Sequence, residues 1–173
     1  MQRILFICLL LLATEIAVAQ TPEEKLTQLG ITLFAPSAPV ANYVKYVRTG
    51  NLIFLSGHGP EDKVKGGYIT GKLGKDLTIE QGYAAAKLTG ISLLATLKDA
   101  IGDLSKVKRI VKVLGMVNSD ENFVDQPKVI NGFSDLMVAV FGEKGKHARS
   151  AVGMAALPFR TAVEIEMVVE VEL

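Results

Sequence analysis

The chain has 173 residues, a formal charge of +1, two histidines and one cysteine. A near-neutral balance leaves no electrostatic footprint for non-specific nucleic-acid binding. The histidine and cysteine counts exclude a His-rich or Cys-based metal site.

Along the chain, Met1-Gln2-Arg3 supplies a positive start, Ile4 to Leu12 a continuous apolar run, and Ala17-Val18-Ala19 a small-x-small cleavage site. Residues 1–19 are therefore expected to be a secretory signal peptide, too short and wrongly flanked for a stable membrane span, with a retained N-terminal anchor as the alternative. Cys8 falls inside that leader. The mature chain would begin at Gln20 without a cysteine, which excludes disulfides and thiolate catalysis. About 150 residues remain, enough for one domain with a single core. The expected product is periplasmic or secreted, with no membrane association after cleavage.

Thr21-Pro22-Glu23-Glu24 reads as a helix start, with Thr21 as N-cap, and this helix ends near Gly30. Pro36 and Pro39 mark an extended connector, so residues 20–38 form an N-terminal helix and connector ahead of a main domain at 39–173. Tyr43 to Arg48 and Leu52 to Ser56 are strands joined by a Thr49-Gly50-Asn51 turn. Ser56-Gly57-His58-Gly59-Pro60 closes the hairpin in a glycine-rich corner, and Gly66 to Gly71 reads as another short strand. Thr78-Ile79-Glu80-Gln81 is a capping box that opens a long helix over residues 79 to 101. Val107 to Val117 is β-branched and reads as a strand. Pro127 starts a second long helix that runs to about Phe141, and residues 149 to 156 and 162 to 172 are the closing strands. This order predicts an α+β fold, a mixed sheet with two helices packed on one face. The strands are too apolar for their other face to be solvated, so association between copies is expected to cover it.

The chemistry concentrates in the last segment. Arg149 opens a run of small residues, Ser150, Ala151, Val152 and Gly153, which leaves room beside a guanidinium suited to gripping a carboxylate. Glu164, Glu166, Glu170 and Glu172 share one face of a period-two strand. Glu170 and Glu172 read as solvated, whereas Glu164 and Glu166 lie nearer Pro158 and could approach Arg149 on a neighbouring strand. Asn131 reads as a polar group on a helix face, and Lys144 to His147 as a solvated loop.

Ala148-Arg149-Ser150, Val152, Leu157-Pro158 and Val163-Glu164-Ile165, together with Asn42-Tyr43, Leu55-Ser56-Gly57 and Ile130-Asn131, resemble the RidA/YjgF family of imine deaminases. These proteins are also called L-PSP endoribonuclease-like and chorismate-mutase-like. Gly71 to Thr78 and the blocks Val129 to Gly132 and His147 to Arg149 resemble its divergent YjgF/chorismate-mutase-like endoribonuclease branch. The resemblance covers Pro39 to Leu173. It implies a chorismate-mutase-like homotrimer with clefts between subunits, in which Arg149 binds the carboxylate of a 2-imino acid and Glu164 orients or activates the hydrolytic water. Tyr43 would line the cleft from the neighbouring subunit. Asn131 and the Gly57 backbone would surround the ligand, with Ser150 and Ala151 beside Arg149. No metal or organic cofactor is implied. The sequence departs from the family where Ala151 replaces a frequent cysteine, His58 a frequent glutamine and His147 a usual proline or alanine. Two other readings are a non-catalytic trimer that binds small carboxylates or a protein partner, and an endoribonuclease. Near-neutral charge and the lack of a stacking aromatic patch in the sequence count against the last.

Overall fold

The structure, a computed structural model, describes residues 20–39 and 41–172. The expected leader lies outside the described residues. Helix α1 (Pro22–Gln28) starts with a full capping box, in which Thr21 accepts from the Glu24 amide and Glu24 from the Thr21 amide. It buries Leu26 and leads into a connector without regular structure. Strands β1 (Tyr46–Thr49) and β2 (Leu52–His58) then form a hairpin. Helix α2 (Ile79–Ile101) follows, capped by the predicted Thr78/Gln81 box. Strand β3 (Val107–Asn118), helix α3 (Gln126–Phe141), β4 (Ala148–Met154) and β5 (Val163–Val171) complete the chain.

The strands form one mixed sheet in the order β1-β2-β5-β3-β4, antiparallel except for the β3–β4 pair. The two long helices cover one face and enclose the core with β2, β3 and β5. Gly132 permits their close approach, because a Cβ there would strike the Tyr83 carbonyl of α2. Buried Ile53 and Leu55 of β2, Val113, Gly115 and Val117 of β3, and Val163, Ile165, Met167 and Val169 of β5 point at the helices. On the open face, Val47, Phe54 and Val152 are exposed, with Leu114 and Val168 partly so.

Three expectations change. No strand forms over Gly66 to Gly71. Gly66 and Gly67, at φ 82° and 84°, fold a tight turn closed by Asp62, and only isolated bridges join Tyr68 to Glu61 and Thr70 to Thr161. The hairpin is displaced toward the C-terminus: β1 begins at Tyr46, which leaves Tyr43 outside it. Strand β2 reaches His58 through a bulge against β5. Finally, β5 does not neighbour β4, because β3 lies between them.

Candidate functional site

The last of these changes divides the predicted site. Arg149 of β4 stands opposite buried Val113, while Glu164 of β5 stands opposite Met116, an odd number of residues further along β3. Side chains alternate along a strand, so Arg149 lies on the helix-covered face and Glu164 on the open one. Within one chain these two residues do not meet, and neither Glu164 nor Glu166 reaches Arg149.

Arg149 is held by α3. Its Nη1 donates to Asn131 Oδ1 and to Ser134 Oγ, each at 2.9 Å, from residues one helical turn apart. His147 extends this network and is no solvated loop residue. Its Nδ1 lies 2.7 Å from the Gly145 carbonyl, which can only accept, so this nitrogen carries the proton. Nε2 is then left to accept from the Ser134 hydroxyl at 3.1 Å, and the Ser134 oxygen keeps a lone pair for Arg149. The imidazole stands edge-on to Phe133, with ring centroids 5.8 Å apart. Burial, aided by the Arg149 charge and opposed by the Gly145 carbonyl, lowers the His147 pKa from its ordinary value. The neutral ring therefore fixes a hydroxyl, and the hydroxyl helps fix the guanidinium. Nε and Nη2 of Arg149 have no hydrogen-bond partner among the described residues, which leaves donors for a planar anion.

Ser150 and Ala151 separate along the same strand. Ser150 faces the open side and accepts from Lys112 Nζ at 3.0 Å, whereas Ala151 shares the Arg149 face and packs against the core.

Glu164 occupies a different environment. Its carboxyl lies directly over Gly57, where any Cβ would collide with Oε1. It has no hydrogen bond or ion pair among the described residues. Burial, and secondarily the charge of Glu166, raise its pKa above the usual carboxylate range. A cavity of about 300 Å³ opens beside it, lined by Tyr43, Gly57, Tyr68 and Phe159 among others. Tyr43 thus sits with Glu164 in the same chain. Phe159 is 77 % exposed, and it and Arg160 adopt left-handed conformations (φ 53° and 59°) that cost energy without glycine. The result is an aromatic rim, with Tyr43 and Tyr68 also exposed, where the sequence pattern predicts no aromatic patch.

The structure therefore brings together Tyr43, Gly57 and Glu164 in one cluster and Asn131 and Arg149 in another. Sequence reasoning missed Ser134, His147, Tyr68 and Phe159. Only Ser134 left a signal, its three-residue spacing from Asn131. Among the described residues no three His, Cys, Asp or Glu side chains converge as metal ligands.

The family model described as YjgF/chorismate mutase-like, putative endoribonuclease, matches residues 23–171, a span that takes in all but the first residue of α1 and the connector after it. The Trypanosoma cruzi protein TCP17 is 48% identical over 146 residues, 84% of this chain and 91% of its own. A solved structure of a putative endoribonuclease from Shewanella oneidensis MR-1 is similar at TM-score 0.84 and 33% identity, over 88% of this chain and 100% of that one. RidA from the Antarctic bacterium Psychrobacter sp. PAMC 21119 is similar at TM-score 0.56 and 26% identity, over 81% and 96% of the two chains.

Proposed function

We propose, because the chain belongs to the YjgF/chorismate mutase-like, putative endoribonuclease family, that it is an exported enamine/imine deaminase. It would hydrolyse small 2-imino acids to 2-oxo acids and ammonia. The observation that carries this reading is the Glu164 carboxyl, half-buried and without a polar partner among the described residues, beside a cavity of about 300 Å³. Water adds to the C=N carbon as Glu164 takes one of its protons. Glu164 returns that proton to the nitrogen to give a carbinolamine, then takes the hydroxyl proton and passes it to the same nitrogen, so that the C–N bond breaks, the oxygen becomes a carbonyl and ammonia leaves. A carboxylate whose pKa burial raises above the usual range is suited to these transfers.

Arg149 supplies the carboxylate grip. Since it lies on the other face of the sheet, a complete site needs Arg149 from one copy and Glu164 from another. The exposed apolar residues of the open face support such association, for which the homotrimer is the proposed form. Ammonia release from freshly generated 2-iminobutanoate is the test. Wild type should release it well above buffer, and Arg149→Ala should not. Equal rates in both would overturn the reading. Binding of 2-oxo acids without turnover would instead identify a non-catalytic carboxylate-binding assembly.

The exposed Tyr43, Tyr68 and Phe159 support a second reading, since such rings can stack bases. The family description and the Shewanella protein's name both use the word endoribonuclease. A net charge of +1 weighs against it. RNA cleavage that persists through purification and disappears in Glu164→Gln would establish it.

A further inference from the structure

A second cavity, of about 250 Å³, lies beneath the N-terminal connector and within a single chain. The stretch from Gly30 to Ser37 roofs it, Leu88, Ile91 and Ala95 of α2 form an apolar wall, and His58 and Thr96 lie at its floor. Well-packed interiors leave few voids larger than a water molecule. An apolar cavity of about 150 Å³ already admits benzene. This one is larger, yet too small for a long-chain fatty acid.

The polar groups around it are mostly satisfied by one another. His58 Nδ1 donates to the Ser56 carbonyl at 2.7 Å, and its Nε2 accepts from the Thr96 hydroxyl at 2.8 Å. Glu61 accepts from Ser37 Oγ through both oxygens at 2.9 Å and pairs with Lys63 at 2.8 Å. Lys63 also donates to Ser37 Oγ, which clasps the roof to the loop below. Asp62 is occupied by the amides of Val64 and Lys65. Among the described residues, the one charged lining side chain without a hydrogen-bond or ion-pair partner is Lys45. Burial lowers the His58 pKa to about 4, so the floor stays uncharged near neutrality. The chamber's walls are apolar, and of its charged groups Lys63 and Glu61 are paired and Asp62 is held by amides, so Lys45 is the one unpaired charge a ligand can meet there.

We infer that this cavity binds a compact apolar monocarboxylate, an aryl-bearing or branched aliphatic acid. Its carboxylate is held by Lys45 and its hydrocarbon body lies between α2 and the connector. The site adjoins the Glu164 pocket, sharing Ser37, Lys45, His58, Glu61 and Ser92 with it, and is distinguished from it by the wall of Leu88, Ile91 and Ala95 and the roof that starts at Gly30. It does not depend on deamination.

The test uses the full mature chain with 3-phenylpropionate as probe and neutral 3-phenylpropanol as control, measured by calorimetry and thermal shift. One saturable site per chain and a raised melting temperature are expected. Ala95→Phe fills the chamber and should weaken 3-phenylpropionate at least about tenfold without lowering the melting temperature, with Ile91→Trp as a second filler if the first fails to fold. Lys45→Met should weaken the acid about tenfold and leave the alcohol unchanged. Phe159→Ala, which alters only the Glu164 rim, should change neither ligand. Absence of saturable binding in wild type, or binding that survives a filler variant that folds, overturns the site. An equal loss of acid and alcohol in Lys45→Met overturns the carboxylate assignment. Loss of binding in Phe159→Ala places the probe in the Glu164 pocket and overturns the separate site.

Discussion

The Arg149 and Glu164 clusters are assembled from similar parts and left in opposite electrostatic states. Each has a histidine whose Nδ1 donates to the carbonyl two residues before it and whose Nε2 accepts from a helix hydroxyl. His58 uses Ser56 and Thr96, and His147 uses Gly145 and Ser134. On the Arg149 side the hydroxyl goes on to hold the guanidinium, which is further satisfied by Asn131. On the Glu164 side the Thr96 hydroxyl is buried in the core and the carboxyl receives no bond among the described residues. A fixed cation with donors to spare suits steady binding of an anion. A half-buried carboxyl without a partner has its charged form disfavoured, and it suits proton transfer. The two halves therefore predict different kinetic roles, and they predict that the roles come from different chains.

Subunit mixing tests this most strongly. Arg149→Ala and Glu164→Gln are each expected to lower deamination by about two to three orders of magnitude. If each site takes one residue from each of two copies, equal random mixing of the two inactive variants leaves about a quarter of sites with both residues intact, and activity returns to about that level. A site contained in one chain would give no recovery at all.

Gly57→Ala separates the halves by a smaller step. The new Cβ displaces the Glu164 carboxyl, the flexible end of its side chain, and leaves α3 untouched. The expected outcome is a fall in kcat of about tenfold or more with 2-oxo acid affinity preserved. An unchanged kcat would mean that Glu164 is not the working carboxylate.

The histidine beside Glu164 gives a stability readout. His58 has a folded pKa of about 4 against an ordinary 6.5. As pH falls below 6.5 the unfolded chain takes up a proton that the folded ring refuses, so stability is lost across that window. The loss approaches on the order of 3 kcal/mol at the acid end. His58→Gln should flatten the dependence of urea midpoint on pH between 6.5 and 4. An unchanged slope would show that His58 is not the group responsible.

Much of the fold was legible because its signals are local. The Thr78/Gln81 capping box, Pro127 at the start of the second long helix and the alternation of β5 each fix an element from neighbouring residues. The separation of Arg149 from Glu164 was not legible. It depends on β3 lying between β4 and β5, a long-range pairing order that leaves no mark in either strand's pattern. His147 was misread because its burial comes from Phe133 and Ser134 on another element, while its own neighbours, Lys144 and Lys146, are exposed. Phe159 was missed because nothing in Leu157-Pro158-Phe159-Arg160 announces two left-handed residues where glycine is absent.

Ser134→Ala gives the smallest effect and the sharpest division between the two halves. It removes one of the two neutral acceptors that orient Arg149 and leaves Asn131 in place. A hydrogen bond to a charged group is worth about 1.5–3 kcal/mol in stability. The guanidinium is part-exposed and can turn to water, so only a fraction of that should appear in binding. A rise of about fivefold in KM is expected, with kcat within about twofold of wild type, because the carboxylate is held equally in ground and transition states. His147 Nε2 loses its donor in the same variant, yet the ring keeps its bond to Gly145 and its place against Phe133. Ser134→Thr, which restores a hydroxyl at the same position, should recover KM. If kcat fell as far as kcat/KM, Arg149 would be acting on the transition state, and the division between a binding half and a reacting half would fail.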